Sequence, residues 1–140
     1  MKKENLFGYV PAIATPYNKK GEIMEDAFID LFEFLIKRGA TCVCIAGDNG
    51  ESWSLSAEER GRLVRLAKDT SRGRVPIMMG ISAATIDASL SYIRAAEENG
   101  ADVLLSMPQT YVLKASEAEL MARFDKVSEA TNKPLVLYNS

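Results

Sequence analysis

Cys42-Val43-Cys44-Ile45-Ala46-Gly47-Asp48-Asn49-Gly50-Glu51-Ser52 joins five apolar residues to a polar loop holding two glycines. A short apolar run bounded by turn residues reads as a strand buried on both faces, the pattern of a parallel sheet. The loop that follows leaves the C-terminal end of that strand. Parallel α/β folds place ligands at this end, because loops converge there while the sheet behind them stays rigid.

Outward from this stretch, apolar runs alternate with helical periodicity. Before it, Phe7 to Thr15 reads as a first strand closing on Thr15-Pro16, followed by turn chemistry at Asn18-Lys19-Lys20-Gly21. Phe28, Leu31, Phe32, Leu35 and Ile36 then fall at i, i+3, i+4, i+7 and i+8, one apolar stripe of a helix that Gly39 ends. After the loop, Ser56-Ala57-Glu58-Glu59 matches a capping box and opens a second helix with Leu63, Val64, Leu66 and Ala67 inward. Val75 to Gly80 reads as a third strand. Thr85 to Asn99 reads as a third helix with Ile86, Leu90, Ile93 and Ala96 on one face. Val103-Leu104-Leu105 is a fourth strand. Ser116-Glu117-Ala118-Glu119 is a second capping box, with Leu120, Phe124 and Val127 inward, and Pro134 to Tyr138 is a fifth strand.

The order βαβαβαβαβ, with strands recurring roughly every 30 residues, calls for a parallel sheet with right-handed crossovers. A faint repeat supports a fold built from like units. Arg38-Gly39-Ala40-Thr41-Cys42-Val43 is echoed by Asn99-Gly100-Ala101-Asp102-Val103-Leu104, and Arg74-Val75-Pro76-Ile77 by Asn132-Lys133-Pro134-Leu135. A closed eight-stranded barrel usually takes ~250 residues, so these 140 residues are expected to be its N-terminal portion, with five strands and four helices. The rival reading is a self-contained, flavodoxin-like α/β binding or regulatory domain, which needs a reversal in strand order.

Composition excludes several classes of function. Seventeen basic and nineteen acidic residues give a net charge of -2, and the basic ones are scattered, which argues against a nucleic-acid partner. No stretch approaches the ~20 apolar residues of a membrane span, and no signal-peptide core follows Met1, so a cytoplasmic location is expected. Cys42 and Cys44 point to the same face of one strand, where i, i+2 geometry does not suit a disulfide. With no histidine and no third cysteine, they read as small buried apolar side chains rather than a metal pair, and neither metal nor cofactor is expected.

Several motifs together carry a resemblance. Pro11 to Pro16, Gly47 to Ser52 with Leu55 to Arg60, Gly80-Ile81 with Thr85, Ala95 to Asp102, and Leu137-Tyr138-Asn139-Ser140 are similar, in order and spacing, to the dihydrodipicolinate synthase and N-acetylneuraminate lyase family. That resemblance implies a (β/α)8 barrel and a class I aldolase or synthase forming a Schiff base with a small 2-oxo acid such as pyruvate. It also implies a homo-oligomer, a tetramer by family. Tyr138 matches the strand-five tyrosine that relays protons during Schiff-base formation. Gly47, Asp48, Asn49 and Gly50 match the loop that grips the pyruvate carboxylate. Tyr111 resembles the aromatic that completes a proton relay across a dimer contact.

Two departures from the family pattern qualify what carries over. Asp48 and Asn49 stand where the family has a Ser or Thr followed by Thr, which removes a relay hydroxyl and points to another 2-oxo acid or a sugar acid, with Asp48 accepting a hydroxyl. The Schiff-base lysine belongs to a sixth strand beyond Ser140, and none of Lys114, Lys126 and Lys133 matches its position. The chain by itself is therefore expected to be inactive.

Overall fold

The computed structural model describes residues 6–108 and 115–139. Helices α1 (Glu25–Lys37), α2 (Ala57–Ser71), α3 (Ile86–Glu98) and α4 (Glu117–Glu129) alternate with strands β1 (Val43–Ile45), β2 (Ile77–Gly80), β3 (Val103–Ser106) and β4 (Leu135–Leu137). The strands form one parallel sheet in the order β1-β2-β3-β4, with Val43 opposite Ile77, Met78 opposite Val103 and Leu104 opposite Leu135.

The expected first strand is only partly realised. Thr41 donates its amide to Tyr9 O, Cys44 to Pro11 O and Ile13 to Cys44 O, so the segment runs beside β1, yet among the described residues its only ladder pairing is Ala12 with Cys44. Pro11 has no N–H to donate within this short segment. The segment is nevertheless tethered, and it places Ile13 in the core.

The alternation of side chains along each strand separates two apolar clusters. Val43, Ile45, Ile77, Met79 and Leu104 pack with Phe28, Phe32, Leu63, Val64, Ala67, Ile93, Ala96 and Val127 from all four helices. Cys42, Cys44, Met78 and Val103 occupy the opposite face with Leu6, Val10, Leu105 and Val136, and no helical residue joins them. All four helices therefore cover one face, and the strand order contains no reversal. A doubly wound sheet needs helices on both faces and a switch point, and the described residues show neither.

Local chemistry explains the boundaries. Ser56 and Ser116 each form a capping box: Glu59 and Glu119 donate their amides to the serine hydroxyls and return a carboxylate oxygen to the serine amides at 2.8 and 2.7 Å. The repeat seen in the sequence is one helix-end motif used twice. Gly39 (φ 90°) donates to Ile36 O and Ala40 to Leu35 O; Gly100 (φ 85°) donates to Glu97 O and Ala101 to Ala96 O. This is the Schellman pattern, with the buried alanine turning the chain into β1 or β3. Lys68 holds Asp102 at 3.0 Å, and the same carboxylate accepts the Ile77 amide at 2.8 Å, pinning α2 to the start of β2. Among the described residues no helix is long and apolar enough to cross a membrane.

Candidate functional site

The loop after β1 is two short 3-10 turns, Asp48–Gly50 and Ser52–Ser54, with a left-handed residue before the first and another between the two. These are not the glycines: Ala46 takes φ 53° and Glu51 φ 56°. Such conformations cost a residue with a Cβ about 1–2 kcal/mol and persist only where the surroundings hold them. The surroundings here are specific. Ala46 O lies so close to Gly80 that a Cβ there would meet it at 2.0 Å, so only glycine fits opposite the bend. Gly50 is buried, with its carbonyl accepting from Thr15 Oγ1 at 2.8 Å and its α-carbon against Ile13 O.

Arg60 ties the loop down from behind. Its side chain is fully buried on α2 and donates to Leu55 O at 3.3 Å, Gly80 O at 2.7 Å and Ser52 O. Its guanidinium lies 3.7 Å from the centroid of the Tyr92 ring. Burial lowers its pKa, with Tyr92 acting in the opposite direction. The sequence reading passed over Arg60, although a signal existed: Arg60, Leu63, Val64 and Ala67 fall at i, i+3, i+4 and i+7, which puts the arginine on the buried face.

Two clefts open at the C-terminal ends of the strands. A cleft of about 210 Å³ on the helix-free side is lined by Ala12, Gly47, Asp48, Asn49, Leu105, Met107 and Tyr138. It brings together four of the six residues singled out in the sequence. Gly50 is not among its lining residues, and Tyr111 lies outside the described residues. A larger cleft, about 550 Å³, is lined by Trp53, Arg60, Tyr92 and the segment after β2, and shares Asp48, Asn49 and Met107 with the smaller one. Size alone would favour the second. The first holds the phenol and the glycine turn over one space, and is therefore the better candidate for chemistry.

The smaller cleft is held open by tied strand ends. Tyr138 donates its amide to Ser106 O at 2.9 Å, Ile81 to Leu105 O at 2.9 Å, and Met107 to Ser82 Oγ at 2.8 Å. The Tyr138 ring is half exposed, and its hydroxyl has no hydrogen-bond partner among the described residues. Below the cleft, burial pushes the Cys44 thiol up to about 12, with Cys42 and the Asp48 carboxylate adding to the effect; burial and then Asp102 raise Cys42 to about 11. Both are free, buried and protonated near neutrality, as their reading as apolar fillers requires.

Sequential parallel strands, helices confined to one face and a cleft where the strands end define a segment of a β/α barrel. The chain belongs to the dihydrodipicolinate synthetase family, whose model matches residues 5–140. It is 34% identical over 140 residues to the 4-hydroxy-tetrahydrodipicolinate synthase of Salinibacter ruber, covering 99% of this chain and 46% of that protein. Dihydrodipicolinate synthase from Agrobacterium tumefaciens superposes with a TM-score of 0.89 at 32% identity, over 98% of this chain and 46% of that one. A prophage protein of the dihydrodipicolinic acid synthase family from E. coli K12, solved in complex with pyruvate, gives 0.89 at 30% identity over 96% and 45%. The chain thus spans about half the length of the relatives it matches. Its four strands and four helices correspond to the N-terminal part of their TIM barrel.

Proposed function

We propose that this chain supplies the N-terminal part of a pyruvate-dependent lyase or synthase that forms a Schiff base with a 2-oxo acid and acts as a homo-oligomer in the cytoplasm. The observation that carries the reading is the placement of Tyr138, Gly47, Asp48 and Asn49 around one cleft at the strand ends, in a chain of this family. The E. coli relative solved with pyruvate supports the choice of ligand.

In this reading the loop after β1 receives the pyruvate carboxylate, and the Tyr138 hydroxyl moves protons while an amine adds to the keto carbon and water leaves. The amine must be a lysine with a lowered pKa. Lys126 is exposed on α4 and Lys133 sits in the turn before β4, so neither supplies it, and the reading assigns it to a strand beyond Ser140. Tyr111 remains the proposed relay partner from a neighbouring protomer.

The test is borohydride trapping. Full-length protein carrying this chain, incubated with pyruvate and reduced, should gain the mass of one reduced pyruvyl group on a single lysine, while Tyr138→Phe slows the trapping. Absence of any adduct in folded protein would remove the assignment.

A further inference from the structure

Leu120, Arg123, Phe124 and Val127 fall at i, i+3, i+4 and i+7 along α4, the same spacing that turns Arg60 inward on α2. Arg123 is half-buried, and burial lowers its pKa. Its Nη2 donates to Ala83 O, in the segment after β2, and at 3.1 Å to Ser89 Oγ, a buried hydroxyl on α3. Hydrogen bonds from a charged donor are stronger than those between neutral groups, so this is a firm tie between α4 and the segment after β2. Arg123 itself lines neither cleft. What it holds is a row of linked strand ends. Ser82, next to Ala83, accepts the Met107 amide on its hydroxyl at 2.8 Å, and Ile81 donates to Leu105 O at 2.9 Å. Ser106, beside Met107, accepts the Tyr138 amide on its carbonyl at 2.9 Å. The row therefore runs from α4 through the ends of β2 and β3 to the residue that carries the phenol. The loop after β1 is held separately, by Arg60 and Thr15.

We propose that Arg123 is a positioning residue for Tyr138: by anchoring the segment after β2 to α4 it sets, through Ser82 and the end of β3, where the phenol stands over the smaller cleft. This rests on the reading of that cleft as a 2-oxo acid site and of Tyr138 as the group that moves protons there. Proton transfer needs donor and acceptor within hydrogen-bond reach, so a small displacement of the phenol falls on the rate of the chemical step. The seat of the pyruvate carboxylate belongs to the separately held loop after β1, so substrate binding is spared. Residues that act through one another couple non-additively, which makes the link measurable.

The experiment uses full-length protein carrying this chain, mixed with pyruvate at several concentrations and quenched with borohydride at timed intervals, so that Schiff-base formation is followed as a rate. Arg123→Met should lower the saturating rate about tenfold and leave the pyruvate half-saturation within about twofold of native. In a Tyr138→Phe background the same substitution should change the rate by less than about twofold, because the group it positions is gone. Ser82→Ala cuts the tie to Met107 and leaves the arginine in place. It should reproduce both results, add nothing to Arg123→Met, and decide the matter alone where the arginine variant does not fold. Unchanged saturating rates in folded variants overturn the inference, as does an equal loss in the Tyr138→Phe background or an effect confined to the half-saturation. Failure of the native protein to trap pyruvate, or a Tyr138→Phe variant as fast as native, is the separate result that removes the underlying reading.

Discussion

Replacing Arg60 by methionine keeps most of its volume on α2 and removes every polar contact it makes. Its three hydrogen bonds from a charged donor and its stacking on Tyr92 are together worth about 5–11 kcal/mol at most. Burying a guanidinium takes back several kcal/mol of that, since no carboxylate accompanies it among its described partners. The net loss for Arg60→Met should therefore be about 3–5 kcal/mol, since three carbonyls lose their donor at about 1–3 kcal/mol each and the guanidinium's desolvation is recovered. Arg60→Lys should lose about half as much, because an ammonium can reach one or two of the carbonyls without the planar stack. Urea unfolding followed by circular dichroism measures both. Limited proteolysis adds where the damage falls, and cleavage between Asp48 and Leu55 should rise before any other site. A loss below about 1 kcal/mol for the methionine variant, with an unchanged slope, would show that the loop is held by other contacts and that the ties to Ser52, Leu55 and Gly80 are incidental.

Gly80→Ala should destabilise by about 3 kcal/mol or more, because its Cβ would lie 2.0 Å from Ala46 O and both partners are backbone at the ends of paired strands. Gly47→Ala is the control: its Cβ would meet Ala12 Cβ at 3.3 Å, and the loss in the same urea titration should stay below about 1 kcal/mol. The two thiols predict an alkaline limit. Cys42 and Cys44 ionise in the folded chain only near about 11 and about 12, whereas unfolded thiols lose their protons near 9.0. Above that pH the unfolded state binds fewer protons than the folded one, so stability is intact below pH 9 and declines from there toward pH 12. A Cys42→Ala/Cys44→Ala variant should lose the thiol-dependent part of this decline, and parallel curves for both proteins would contradict the burial of the thiols.

The boundaries and faces of α1 to α4 were legible because capping boxes, apolar spacing and glycine stops are local signals that tertiary packing reinforced here. The extended segment before β1 shows the limit of such signals. Its apolar composition marks it as buried, but the extent of pairing depends on where prolines fall relative to the donors of a neighbour that is distant in sequence. The cleft was legible in part for a related reason. Tyr138 and the Gly47 turn are both strand-end features, and a parallel sheet with strands in sequential order must bring strand ends together. Arg60 was not legible as a tie, since its partners are carbonyls of Ser52, Leu55 and Gly80 and carbonyls leave no trace in a side-chain pattern. The same holds for Ala46, whose left-handed backbone is stabilised by the absence of a side chain at Gly80, thirty-four positions later. The loop after β1 thus owes its shape to groups invisible in its own sequence. Substitutions within Asp48 to Ser52 can therefore change the side chains that line the clefts while Arg60 and Gly80 keep the geometry of the loop.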